Sequence, residues 1–163
     1  MQNLQKVRRR YRTVMLLFIA GLVLSGLTAF PLLLELNILV TLTGGNPPDG
    51  EGLAWWILHV RDGLAESYAR YPWIAYGTDW LAFGHLVIAL FFVGPLRDPV
   101  RNEWIVTAGL IACGGILPLA LICGQIRGIP FYWRLVDCSF GVFGAIPLLY
   151  CRHLAQKLAA QAP

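Results

Sequence analysis

The sequence predicts an all-α membrane protein: a four-transmembrane-helix bundle with one short interfacial helix in the outer loop. Three observations carry that prediction. Hydrophobic residues make up 57% of the 163 residues and charged residues only 13%, with a mean hydropathy of +0.61. Soluble domains carry roughly 25% charged residues. Four apolar stretches reach the ~20 residues that a helix needs to cross a hydrocarbon core of ~30 Å. None of them alternates polar and apolar residues as a barrel strand does, so each must satisfy its backbone within a helix. The length fits a single membrane domain over 1–163.

The first predicted span is 13–36. Its apolar core exceeds the about 7–15 residues of a signal-peptide h-region, and no A-x-A-like cleavage site follows, so it is expected to stay in the membrane. Gly21, Ser25 and Ala29 recur at four-residue steps, a stripe that lets another helix approach closely. Pro31 is expected to kink the outer end, and Glu35 marks its edge.

The stretch 37–71 reads as the only long loop. "GGNPPDGEG" is turn chemistry. In "LAWWILHVRDGLAES", Leu53, Trp56, Ile57, Val60 and Leu64 share one helical face, opposite His59, Asp62 and Glu66. That pattern, rich in Trp and too short to span, predicts an interfacial helix. The polar face holds metal-ligand residue types, but any interfacial helix shows such a stripe, so no metal is predicted.

The remaining spans are predicted over 72–96, 104–125 and 131–150. Ala108, Ala112 and Gly115 form a small-residue face on the third. Gly141, Gly144 and Ala145 do so on the fourth. Tyr71, Trp73, Tyr76, Tyr132 and Trp133 resemble an aromatic belt at one interface.

Orientation follows from Lys and Arg. The N-terminal "KVRRRYR", the turn "RDPVRNE" and the tail "CRHLAQKL" together hold nine of the 13 basic residues. Four spans put all three segments on one side, predicting cytoplasmic N and C termini in a bacterial inner membrane. The net charge of +4 then matches anionic lipid, and no nucleic-acid partner is expected.

Six candidate ligand-binding residues fall at one predicted depth: Glu35, Asp79, Gln125, Arg127, Arg134 and Asp137. Asp79 lies ~10 Å below the start of its span at 1.5 Å per residue. Charge inside a span costs ~2.5–3.5 kcal/mol on insertion scales, so such groups are paired, hydrated or functional. Two readings follow. One is an ion-pair network, with Arg134 on Asp137 at i, i+3 and Asp79 on Arg127 or Arg134. The other is an outward-facing pocket for a small polar or anionic ligand.

His85 is a candidate relay or cofactor contact. It stands ~120° around the helix from Asp79, six residues on at 3.6 per turn, so the two do not share a face. Thr78 does share the face of His85. His59 and His153 differ from His85 in depth, which disfavours bis-His haem, and no cofactor is predicted. Cys113, Cys123, Cys138 and Cys151 form no CxxC pair and read as small buried hydrophobes, although Cys123 and Cys138 could bridge in an oxidising compartment. No phosphate loop, HExxH or serine elbow occurs, so an enzyme is not the favoured class.

"YGTDWLAFGHLVIALFFVGPLRDPVRN" and "RGIPFYWRLVDCSFGVFG", with "SGLTAFPL" in the first span, resemble a family of small bacterial multi-span membrane proteins of unassigned function. The resemblance covers about residues 71–152. It implies a bacterial membrane location and no activity or functional residue. Three function classes remain: a non-catalytic binding or accessory subunit, alone, as a homo-oligomer or in a larger membrane complex; a transporter component; and a redox or cofactor-binding subunit.

Overall fold

A computed structural model describes residues 2–45 and 50–160. All regular structure among them is helical. α1 runs Gln2–Ala29, α2 Leu32–Leu42, α3 Gly52–Arg70, α4 Ala75–Phe91, α5 Val93–Arg97, α6 Glu103–Pro118, α7 Gly124–Ile126 and α8 Phe131–Ala159. A 3₁₀ turn at Pro72–Ile74 precedes α4, and a π-helical turn at Leu119–Cys123 joins α6 to α7. Asn46–Asp49, within the predicted turn, lie outside the described residues.

Four helical segments are long and apolar enough to cross a membrane: Leu4–Ala29, Pro72–Arg97, Glu103–Ile126 and Phe131–Ala159. Three agree closely with the predicted spans, except that the fourth runs nine residues further than 150. The first does not. Proline disfavours helical backbone in the residue before it and has no N–H of its own. The chain therefore turns at Phe30–Pro31, and α2 is a separate helix. Glu35 sits in the first turn of α2, not at the end of a continuous span. The predicted loop 37–71 is correspondingly helical for most of its length. Within it α3 has the predicted two faces in part: Ile57 is buried and Trp56, Val60 and Leu64 half-buried, whereas His59, Asp62 and Glu66 are exposed, but Leu53 of the predicted apolar face is exposed as well.

The chain forms two compact units. Met1–Gly21 with Ile88–Pro163 makes one. Its core is built on Tyr11 and Met15 of α1, Phe92, Pro95 of α5, Val106 of α6, and Leu148 and Cys151 of α8. Phe18 meets Phe92 edge to face, with centroids 4.8 Å apart, a favoured aromatic geometry. The main pairing is α6 on α8. A Cβ on Gly141 would lie 2.6 Å from the Cys113 carbonyl oxygen, and one on Gly109 would lie 2.7 Å from Phe92 Cζ. At Gly141 the two helices therefore approach backbone to backbone, as small residues permit. Gly141 and Gly144 were the predicted face of the fourth span. On the third span the contact falls on Gly109 and Cys113; Gly115 faces open space and Ala108 and Ala112 are exposed.

One end of this unit is tied by the turn between α5 and α6. The Asn102 amide donates to the carbonyls of Asp98 (3.0 Å) and Gly94 (3.3 Å). Asp98 accepts from the Arg101 N–H at 3.1 Å, a side-chain-built turn. Arg152 of α8 reaches Glu103 of α6 at 3.6 Å.

Leu22–Val87 makes the second unit. α2 packs on α3. Tyr68 of α3 shares a 3.0 Å hydrogen bond with Thr78 of α4, whose hydroxyl also donates to the Ala75 carbonyl at 2.6 Å. The end of α1 meets α4 at Gly26, where a Cβ would lie 3.0 Å from the Ala82 carbonyl oxygen and 3.1 Å from His85 Cβ. Gly26, not the stripe Gly21, Ser25 and Ala29, is the close approach on this helix; a Cβ on Gly21 would meet nothing within 4 Å.

Little of each candidate span is covered by the rest of the chain: 11% of the first and third, and 22% of the second and fourth. Leu17, Leu90, Phe143 and many neighbours stand exposed. Soluble monomers rarely show apolar patches above a few hundred Å², so these faces need a non-aqueous surrounding.

Candidate functional site

The six candidate residues divide between the units. Glu35 and Asp79 belong to Leu22–Val87, and Gln125, Arg127, Arg134 and Asp137 to the other. Each group has its own chemistry.

Arg134 is set by a break in the third span. Pro118 has no N–H to donate within the helix. The following turn widens to a π-turn in which the Gly124 N–H reaches the Leu119 carbonyl. A wide turn leaves carbonyls poorly matched to their usual partners. Arg134 Nη1 donates to one of them, Leu121, at 3.1 Å, and to Gln125 Oε1 at 3.2 Å. Gly124 makes room, since a Cβ there would lie 2.9 Å from Arg134 Cγ and Cδ. The guanidinium also lies 5.2 Å from the centre of the Phe131 ring, within cation–π range. Past the break, Gly128 takes φ +72°, and Ile129 and Gly128 donate to the carbonyls of Gly124 (2.9 Å) and Gln125 (3.1 Å). That is a Schellman ending.

The predicted local pair of Arg134 with Asp137 is not formed. Arg134 instead turns back across Gly124 to the Leu121 carbonyl and Gln125. Of the four predicted residues in this unit, Arg134 and Gln125 are brought together. Arg127 is exposed and Asp137 half-buried, and neither has an ion-pair partner among the described residues of this unit. All four cysteines are free thiols, with Cys123 exposed and Cys138 buried.

Asp79 has different neighbours. Tyr76, Asp79, Trp80 and Phe83 are spaced i, i+3, i+4, i+7, so they share one face of α4. Gly26 holds α1 against Ala82. One turn further along α1 stands Phe30, and one turn back along α4 stands Asp79. The contact thus fixes a cleft of about 320 Å³ lined by Phe30, Tyr76, Asp79, Trp80 and Phe83. Trp80 meets Tyr76 and Phe83 edge to face, at 5.9 and 6.0 Å between centroids. Asp79 is half-buried and makes no hydrogen bond or ion pair with any described residue of its unit. Glu35 is likewise half-buried and unpaired there. Phe30, Trp80 and Phe83 were not among the predicted site residues, although the i, i+3, i+4, i+7 spacing around Asp79 was there to be read.

His85 is half-buried. Its Nδ1 donates to the Leu81 carbonyl of its own helix at 2.9 Å, which leaves Nε2 as the remaining ring nitrogen. Thr78, which shares the face of His85 by spacing, is engaged with Tyr68 and Ala75. His59 stacks on Trp55 at 4.8 Å. Among the described residues no group of three His, Cys, Asp or Glu side chains stands at metal-holding spacing.

No protein family, curated protein or solved structure matches the chain. Function must therefore be argued from these side chains.

Proposed function

We propose that the protein is a multi-pass protein of the bacterial inner membrane, with both termini cytoplasmic, and that it binds an organic ammonium cation in the Asp79 cleft. It acts as a non-catalytic binding or accessory subunit. One observation carries this proposal: Asp79, half-buried and without a partner among the described residues of its unit, borders a shallow cleft lined by four aromatic rings inside a candidate span. Aromatic faces attract cations, most strongly alkylated ammonium groups that are easily stripped of water. The carboxylate supplies the opposite charge. The cleft volume falls at the lower end of small-ligand sites, roughly 300–1,000 Å³. An anionic ligand held by Arg134 is less favoured, because two donors of that side chain's Nη1 contacts are already directed at Leu121 and Gln125.

Binding of benzyltrimethylammonium to the purified protein, followed by tryptophan fluorescence, tests the site. Asp79→Asn and Trp80→Leu should each weaken it about tenfold, equivalent to about 1.4 kcal/mol. The uncharged carbon isostere should not compete. Equal binding by Asp79→Asn, or by the isostere, would remove the proposal.

Orientation has its own test. In a cysteine-free background, Thr43→Cys should react with a membrane-impermeant thiol reagent on intact spheroplasts. Arg97→Cys should react only after permeabilisation. The nine-to-four split of basic residues is the reason, and the reverse labelling pattern would show it misread.

A further inference from the structure

We infer a second binding site, for the phosphate headgroup of an anionic phospholipid, at the N-terminal end of α1. Lys6, Arg9, Arg10, Thr13 and Val14 are spaced i, i+3, i+4, i+7, i+8 and so line one face of the helix. That face borders an open cleft of about 440 Å³ that Tyr150 of α8 also lines. Both elements belong to the unit Met1–Gly21 with Ile88–Pro163. None of the three cations makes an ion pair among the described residues. The charge is therefore uncommitted and convergent, unlike that of Arg134.

The lining grades along the helix. Three cations come first, then a hydroxyl, then Val14 and the tyrosine ring, continuing into the apolar body of the candidate span. A free phosphate would use only the first part. A phospholipid uses all of it: phosphate on the guanidinium forks, glycerol near Thr13 and an acyl chain along Val14. Arg forks grip phosphate oxygens in pairs, and basic clefts between spans at a membrane boundary hold anionic headgroups. Arg8 and Arg12 fall off this face. Arg8 instead borders a separate cleft of about 300 Å³ that contains Asp98.

That difference supplies the test. The full chain is placed in nanodiscs of phosphatidylcholine with a minor share of phosphatidylglycerol, and protein-retained lipid is counted by native mass spectrometry. Phosphatidylglycerol should be enriched about tenfold. Arg9→Gln with Arg10→Gln should abolish most of that enrichment. Arg8→Gln with Arg12→Gln removes the same charge and should change it less than about twofold. Equal loss in both double variants would overturn the site in favour of diffuse attraction. Should the glutamine pair fail to assemble, Arg9→Lys with Arg10→Lys keeps the charge but loses the paired grip. It should still lower enrichment severalfold, and unchanged enrichment would overturn the site. Inorganic phosphate forms the last arm. Millimolar phosphate should not displace the lipid, and full displacement would show that the site takes free phosphate.

Discussion

Gly141→Leu should lower stability in detergent by about 3 kcal/mol or more, whereas Gly115→Leu should leave it unchanged or raise it by up to about 1 kcal/mol. Both glycines lie in candidate spans, and both substitutions relieve the roughly 1 kcal/mol that a helical glycine costs. Their surroundings differ. At Gly141 even a Cβ would lie 2.6 Å from the Cys113 carbonyl oxygen and 3.3 Å from Ile116 Cβ. A backbone oxygen cannot rotate away, so α6 and α8 must separate, and the contact between them is the main pairing of that unit. At Gly115 a Cβ meets nothing within 4 Å. The measurement is the midpoint of unfolding in a graded SDS titration or a thermal scan in mild detergent. Gly141→Ala should fall between, because its methyl carbon still clashes while its propensity gain offsets about 1 kcal/mol. Equal midpoints for Gly141→Leu and Gly115→Leu would show that α6 and α8 do not pack at this glycine.

The contrast between these two glycines also marks what was legible in the sequence. Span number and position follow from run length and hydropathy, and three of four spans agree closely with the structure. The fourth span's small-residue face was visible because Gly141, Gly144 and Ala145 cluster on it. The faces of the first and third spans were not. In a span apolar all round, periodicity says nothing of which side meets protein, so Gly26 and Gly109 could not be told from Gly21 and Gly115. By pattern alone Pro31 marks a kink within one span, whereas two consecutive residues leave the helix there. Site residues divide in the same way. Arg134 and Gln125 share a predicted depth and do meet. One acceptor of Arg134 is the Leu121 carbonyl, within the π-turn after Pro118. Backbone groups are invisible to any pattern of side chains. Asp79 was visible as a charge in a span; its aromatic walls were also in the sequence, but only the Gly26 contact shows that Phe30 completes them.

Asp79→Asn should leave stability unchanged or raise it by up to about 2 kcal/mol, while weakening ammonium binding about tenfold. The sign is the informative part. A carboxylate in a buried ion pair strands its partner when neutralised, at a cost of roughly 3–5 kcal/mol. A carboxylate held for a ligand has no partner to strand. Replacing it removes part of the ~2.5–3.5 kcal/mol that charge costs inside a span. That figure is an upper limit here, because the cleft keeps Asp79 half-exposed and the unfolded helices also carry the charge into the micelle. Functional groups are commonly held at some expense to stability, so the variant that loses function gains it. The two readings differ by several kcal/mol in opposite directions, well beyond the scatter of an unfolding midpoint. A fall of 3 kcal/mol or more, by the scale of a broken buried pair, would return Asp79 to the structural network and leave the cleft without its anchor. A flat or raised midpoint, together with weakened binding, would mark Asp79 as a charge kept in the span for its ligand.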